Sequence, residues 1–295
     1  MHGFHGQLLH VDLASGKCAW QDLNQSRLQR FLGGIGLGAS LLYEFAPPGV
    51  DPLSPGNPLI FASAPLVGTG LTTTAKYAVV TKSPLTGFIG DSLSSSFFAL
   101  ELKKCGIDAL VITGSAASWV YLCFDDGKIE LRDARKLIGS SAHETETLIH
   151  AELNESFRVA AIGKAGENCV RFATISNDGR HAGRGGVGAV MGSKRLKAIA
   201  LRGNAETSAA DERGVAALAE SLRQRSVGSL TSKYRQIGTV ANLAVFNRLG
   251  TLPTRNFQHS TFAHAEELSG ETLTENNFSR RNGCAACTIR CIRKR

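Results

Sequence analysis

Short apolar runs broken by turns fill roughly the first two hundred residues, and this density of strand signals restricts the fold more than any other feature. Leu8 to Leu13 and Cys18 to Gln21 flank Ala14-Ser15-Gly16-Lys17, a hairpin turn between two strand-length segments. Further strand-length runs stand at Leu59 to Phe61, Tyr77 to Thr81, Ala109 to Thr113, Trp119 to Phe124, Lys128 to Arg132, Val159 to Ile162, Val170 to Ile175 and Lys197 to Leu201. Asp125-Asp126-Gly127 marks another hairpin, since Asp-Gly accepts the left-handed backbone of tight turns. Helices interrupt the strands at Arg27 to Phe45, at Ser96 to Lys104, and at Ser141 to Leu153, where Ser141 and Glu144 have capping-box spacing.

Past Gly203-Asn204 the periodicity becomes helical. Val215, Leu218 and Leu222 share one face of a helix near Asp211 to Arg225. Val240, Leu243, Val245 and Leu249 mark a second helix, stopped by Gly250 and Pro253. The reading is an α+β chain: a β-rich domain over residues 1–204, then the beginning of a helical domain over 205–295. A length of 295 residues and 43% hydrophobic content suit globular domains with real cores. The net charge of +8 is scattered, apart from Lys194-Arg195-Leu196-Lys197 and the terminal Arg290, Arg293, Lys294 and Arg295. With four tyrosines and two tryptophans there is little aromatic interleaving for base stacking, which argues against nucleic acid. An acidic redox partner or a polyanionic cofactor accounts for the same charge.

Met1-His2-Gly3-Phe4-His5-Gly6 lacks the basic flank and apolar stretch of a signal peptide, and no apolar run reaches membrane-spanning length. Seven cysteines make no disulfide framework, and a reducing, cytoplasmic setting is the expectation. Three of them, Cys284, Cys287 and Cys291, form a C-x2-C-x3-C run separated mostly by small residues. Thiolates at this spacing converge on one soft metal centre, and three cysteines with a fourth ligand from elsewhere suit a 4Fe–4S cluster. Zinc is the alternative, although no second C-x2-C pair is present and His259 and His264 lack finger spacing.

Two glycine clusters invite comparison with dinucleotide folds. Gly34-Ile35-Gly36-Leu37-Gly38-Ala39 follows a helical stretch rather than a strand, which is the wrong context. Gly183-Arg184-Gly185-Gly186-Val187-Gly188 follows a strand, but Gly192 interrupts any helix after it. Glycines of this kind let a backbone approach a large anion, and Arg180, Arg184, Lys194 and Arg195 bracket the loop. An anion cradle and a tight turn with solvated charges both fit the composition.

The string from Asn177 to Lys194, including Asn177-Asp178-Gly179-Arg180-His181-Ala182-Gly183-Arg184-Gly185-Gly186, resembles the signature of the tungsten-containing aldehyde:ferredoxin oxidoreductase family. So do Asp51-Pro52-Leu53-Ser54-Pro55, Tyr77 to Gly87, Ala165-Gly166-Glu167-Asn168, Leu252 to Phe257 and the cysteine run, all in family order. The resemblance covers the family's N-terminal domain and the opening of its second. It implies two packed β-sheets that form a base for a tungsten (or molybdenum) bis-pterin cofactor, with helical domains beyond. It implies that Cys284, Cys287 and Cys291 bind a 4Fe–4S cluster whose fourth cysteine comes from a later domain.

The resemblance also carries the pterin contacts to Lys76, Leu93, Ser95, Arg180, His181, Gly183, Arg184 and Gly185. Lys76 stands at the position of a family arginine, keeping charge without the bidentate fork. Leu93-Ser94-Ser95-Ser96 replaces the family's Asn-Ser-Gly-Gly, and His181 replaces a small residue. The implied activity is oxidation of an aldehyde to a carboxylate with electrons passed through the cluster to ferredoxin. A homo-oligomer, or a chain completed by a C-terminal half, is expected, with no catalytic acid or base assigned here. His143 and His150 read as surface residues of a helix. Two alternatives stand beside it: an inactive fragment or cofactor-binding subunit of a split protein, and an aromatic acyl-thioester reductase on the same scaffold. The segment Ile292-Arg293-Lys294-Arg295 is unlike a folded terminus.

Overall fold

A computed structural model describes residues 1–276 and 280–294, which fall into two compact units. The first comprises Met1–Gly70 and Thr74–Val215, and the second comprises Leu71–Thr73 with the residues from Ala216 onward.

The first unit begins with the hairpin β1 (Gln7–Asp12) and β2 (Lys17–Asp22), then α1 (Gln25–Phe31) and α2 (Gly34–Phe45). Strands β3 (Leu59–Ala62), β4 (Lys76–Lys82) and β5 (Ile89–Ser95) follow, then α3 (Phe97–Lys104) and β6 (Ala109–Thr113). Next come β7 (Val120–Asp125), β8 (Lys128–Asp133), α4 (Ala142–Glu152), β9 (Arg158–Ala161) and α5 (Lys164–Glu167). The unit closes with β10 (Ile175–Asn177), β11 (Arg180–Ala182), α6 (Val187–Ser193) and β12 (Leu196–Arg202). These strands build two six-stranded sheets, ordered β2-β1-β6-β3-β4-β5 and β11-β10-β9-β12-β7-β8. Each has one parallel pair, β1 with β6 and β12 with β7, and is otherwise antiparallel.

Strand alternation sorts the side chains into layers. Leu9, Phe61, Val79 and Leu110 of the first sheet meet Leu122, Phe124, Ile199 and Leu201 of the second in one core, with Phe98 of α3 and Met191 of α6. The opposite face of the first sheet sets Ile60, Val80 and Val111 against Leu28, Leu37 and Leu41 of α1 and α2. The opposite face of the second buries Tyr121, Val159 and Ala200 against Ile149 of α4. Because both faces of both sheets are covered, the central strands read as unbroken apolar runs rather than alternating ones. The α+β class and the two packed sheets are therefore as expected.

Several expectations need correction. The helix expected over Arg27 to Phe45 breaks at Leu32 and Gly33, whose φ values of 59° and 149° no helix accommodates. The strand expected at Val170 to Ile175 starts only at Ile175, because the preceding residues form a turn. Strand β5 was not anticipated, its Ile-Gly-Asp-Ser-Leu-Ser-Ser composition being small and polar.

Lys194, expected beside an anion, is instead fully buried and donates from Nζ to the carbonyls of Pro55 and Gly114, each at 3.1 Å. Burial without a bound carboxylate pushes its pKa down to about 8. Between pH 8 and 10.5, therefore, the unfolded chain holds a proton that the folded chain has released. Through this residue stability rises with pH across that window, by at most about 1.4 kcal/mol per unit. Comparing denaturant unfolding of the wild type with Lys194→Met, the difference should move in favour of the wild type from pH 8 to 10.5. A flat difference would contradict this account of the buried ammonium.

The second unit holds α7 (Glu212–Ser226) from Ala216 onward, with α8 (Ser229–Gln236), α9 (Leu243–Arg248), α10 (Gly270–Asn276), β13 (Arg280–Asn282) and β14 (Ile292–Lys294). The helix expected near Val240 to Leu249 is α9 preceded by a 3₁₀ turn at Thr239–Asn242. Leu218, Val245 and Leu249 of the expected apolar faces are exposed. No helix among the described residues is long and apolar enough to cross a membrane.

Candidate functional site

The anion-loop residues gather on β5 and its neighbours. Lys76 begins β4 with its side chain exposed, directly across from Ser95. Leu93 pairs with Ala78 and is 51% exposed, whereas Ser92 and Ser94 on either side of it are buried. Both buried serines are used. Ser92 Oγ accepts the Arg184 N–H at 3.0 Å, and Ser94 Oγ donates to Asn177 Oδ1 at 3.0 Å. Tyr77 donates its phenol proton to the same Asn177 oxygen at 2.6 Å, and burial pushes that phenol's pKa far upward.

Asn177 is the last residue of β10, and Asp178 and Gly179 turn the chain into β11 with φ of 48° and 68°. Positive φ at both central residues is the geometry that twists with a two-residue hairpin, which Asp-Gly favours. The Asp178 carboxylate accepts the Phe98 N–H at 3.0 Å and so caps α3, whose own N-cap Ser96 makes no side-chain cap bond. Two consecutive side chains thereby pin the hairpin, Asn177 to the first sheet and Asp178 to α3. Residues 180–186 leave it along a fixed path. On β11, Arg180 is half-buried and Ala182 buried, while His181 projects to the other side. His181 lies 3.4 Å from Thr174 Oγ1 and lines a cavity of about 430 Å³ with Ser176 and Lys164.

Gly183 and Arg184 are exposed, and Gly185 and Gly186 both have left-handed φ, 66° and 71°. A Cβ on Gly186 would stand 2.0 Å from the Arg171 carbonyl oxygen, so glycine is obligatory there. A Cβ on Gly185 would meet Gly90 Cα at 3.2 Å. The loop thus crosses β5 as bare backbone. The structure brings Arg184 and Gly185 onto β5, which carries Leu93 and Ser95 and faces Lys76. It separates His181 from Arg180, and it removes Lys194 from the loop surface. Arg195 reaches the carbonyls of Ala116 and Ala117. Asn177, Asp178 and Ser92 were not foreseen as site residues. The Asn-Asp-Gly tripeptide was the one signal available, read as a turn it would have placed the hairpin.

The cysteine run forms the loop of a second hairpin. Arg280–Asn282 pairs antiparallel with Ile292–Lys294, and the innermost pair is Asn282 with Ile292. Residues 283–291 are closed between them, so the segment expected to be unlike a folded terminus is a strand; Arg295 lies outside the described residues. Cys287 N–H donates to Cys284 O at 3.1 Å, a tight turn at the C-x2-C step. Ala286 and Arg290 take positive φ, 56° and 52°. All three cysteines are half-buried, and none is in a disulfide. Among the described residues, no group of three or more His, Cys, Asp or Glu side chains stands ready to hold a metal ion.

The first unit, two mixed six-stranded sheets packed on one core, is not the doubly wound parallel α/β sheet of a dinucleotide-binding domain. The profile of the aldehyde ferredoxin oxidoreductase N-terminal domain matches residues 8–203, and that of domains 2 and 3 matches residues 216–294. The chain belongs to the aldehyde ferredoxin oxidoreductase family. It is 42% identical to the tungsten-containing aldehyde ferredoxin oxidoreductase of Pyrococcus horikoshii, over 99% of this chain and 49% of the relative. It is 33% identical to the WOR-like subunit of an aliphatic sulfonate oxidoreductase from Pyrococcus furiosus, again over 99% of this chain and 49% of the relative. Among solved structures, a chain of the active-site complex of benzoyl coenzyme A reductase bound to 1,5-dienoyl-CoA superposes with a TM-score of 0.84 at 31% identity. That match covers 98% of this chain and 47% of the other. The chain spans about half the length of the curated relatives it matches.

Proposed function

We propose that this chain is the N-terminal part of a tungsten (or molybdenum) bis-pterin oxidoreductase that oxidises an aldehyde to a carboxylate. Electrons would leave through a 4Fe–4S cluster to ferredoxin, in the cytoplasm, with a C-terminal half or a further copy completing the protein. Identity of 42% to a tungsten-containing relative along 99% of the chain is the observation that carries this reading. Residues 1–204 would hold the pterin and residues 205–295 would begin the domain that carries the cluster.

The residues present suit such groups. The left-handed Gly185-Gly186 step packs bare backbone against Gly90 of β5 and the Arg171 carbonyl, which fixes the course of the loop that carries Arg184. Lys76 and Arg184 are exposed cations on the same strands and loop, suited to a phosphate-bearing pterin. The serine clasp on Arg184 N–H and the Asn177 pin hold that loop in one conformation, so little ordering remains to be done on binding. Three soft thiols in one closed hairpin loop suit a cluster better than a hard cation. When bound, the tungstopterin would supply the two-electron chemistry and the cluster single-electron transfer. What Lys76, Arg180 and Arg184 contribute is charge neutralisation and orientation, and Leu93, Ser95, His181 and Gly183 the surrounding surface.

Replacing Arg184 or Arg180 by alanine in the full-length protein should lower tungsten and pterin content about tenfold at limiting cofactor, for one charge-assisted contact each. Metal analysis and pterin fluorescence read this directly. Wild-type content in both variants would mean that the loop is structural. The benzoyl coenzyme A reductase match favours a second reading, reduction of an aromatic acyl thioester on the same scaffold. Assaying the same preparation with an aldehyde and with an aromatic acyl-CoA separates the two.

A further inference from the structure

We infer that Thr72 is a positioning residue for the cysteine loop, acting through Thr288. Leu71–Thr73 is a three-residue excursion that belongs to the second unit although its sequence neighbours on both sides belong to the first. Thr288, between Cys287 and Cys291, has its Oγ1 3.1 Å from Thr72 Oγ1 and 2.8 Å from Ser226 Oγ. Its backbone N–H donates to Thr72 Oγ1 at 3.3 Å. Thr73 N–H donates to Ala286 O at 3.4 Å, on the other side of Cys287.

One order of protons satisfies all of these bonds. Ser226 donates to the Leu222 carbonyl in its own helix, which leaves its oxygen to accept from the Thr288 hydroxyl. Thr288 Oγ1 then accepts from the Thr72 hydroxyl, and Thr72 Oγ1 accepts the Thr288 amide proton. Thr72 and Thr288 therefore clasp each other reciprocally, with α7 as the anchor. Thr239 N–H donates to Cys291 O at 3.2 Å and holds the far side of the loop. The clasp holds the backbone at Thr288, between Cys287 and Cys291, and so positions the segment that carries these two thiols. The clasp also occupies the Thr288 amide, an N–H next to Cys287 that would otherwise be available to a cluster sulfur.

This inference rests on the cluster reading above, and its test separates the two. In purified full-length protein, Thr72→Val keeps the side-chain shape and removes the clasp, whereas Thr72→Ser keeps the hydroxyl. Two quantities are read: the rate of iron loss to a chelator, and the exchange rate of the Thr288 amide in metal-free protein. Thr72→Val should accelerate both by roughly tenfold, the usual effect of removing a group that orients a ligand. Thr72→Ser should stay within about twofold of wild type, and Ser226→Ala should show a smaller change of the same sign. Wild-type amide exchange in Thr72→Val, or equal loss in Thr72→Ser, would overturn the inference. If the wild type holds no iron or sulfide, the cluster reading fails and amide exchange alone decides the role of Thr72.

Discussion

Serine at Cys284, Cys287 or Cys291 is expected to strip iron and sulfide from the protein to near background, while serine at Cys18 leaves both unchanged. The contrast follows from where the thiols lie. Cys105 and Cys123 are buried singly in separate apolar clusters, where burial pushes both thiols upward and no second cysteine stands beside either in the sequence. Cys18 sits alone on the exposed strand β2, and Cys169 alone in a loop. Among the described residues, only 283–291 bring three thiols into one loop closed by paired strands. Elemental analysis and the visible spectrum of anaerobically purified protein check this. Stoichiometric zinc without sulfide would overturn the cluster and favour the structural-zinc alternative.

Gly186→Val should strongly destabilise the first unit. It places a β-branched residue at φ 71° and drives its Cβ to within 2.0 Å of the Arg171 carbonyl. Two named mechanisms, left-handed strain and backbone overlap, together cost about 3–5 kcal/mol. Gly185→Ala, with φ 66° and its nearest contact at 3.2 Å, should cost about 1–2 kcal/mol. Denaturant unfolding of the two variants ranks them. Equal stabilities would mean that the turn relaxes freely and that its glycines are not enforced by packing. Below the unfolding threshold, Gly186→Val should also release Arg184 from Ser92 and lower cofactor content.

The central layers were legible because their signals are local. β1, β3, β4, β6, β7, β9 and β12 are runs of Leu, Ile, Val and Ala covered on both faces, and α4 announced itself through Ser141 and Glu144, whose reciprocal capping bonds are present. What stayed hidden is held by partners distant in sequence. β5 is a strand because it pairs along β4 while Asn177 and the Arg184 N–H hold its buried serines, and no window of seven residues contains that information. The same applies to the site. The cysteine spacing announced the candidate ligands, yet the hairpin that closes their loop joins Arg280–Asn282 to Ile292–Lys294 through short, charged strands. Lys194 shows the converse failure: a basic residue beside a glycine loop looks like an anion ligand until its burial is known.

The parallel pairing of β1 with β6 sets Leu8 opposite Ala109, partners separated by most of the first sheet's sequence. During synthesis the β1–β2 hairpin is complete long before β6 emerges, so its pairing edge waits unfilled while α1, α2 and three further strands are made. Such long-range closure is slow, and an apolar strand edge left open in the meantime recruits other chains. Productive folding of this protein should therefore depend on protection of the nascent N-terminal hairpin, and expression rate and temperature should govern its soluble yield more than its final stability does.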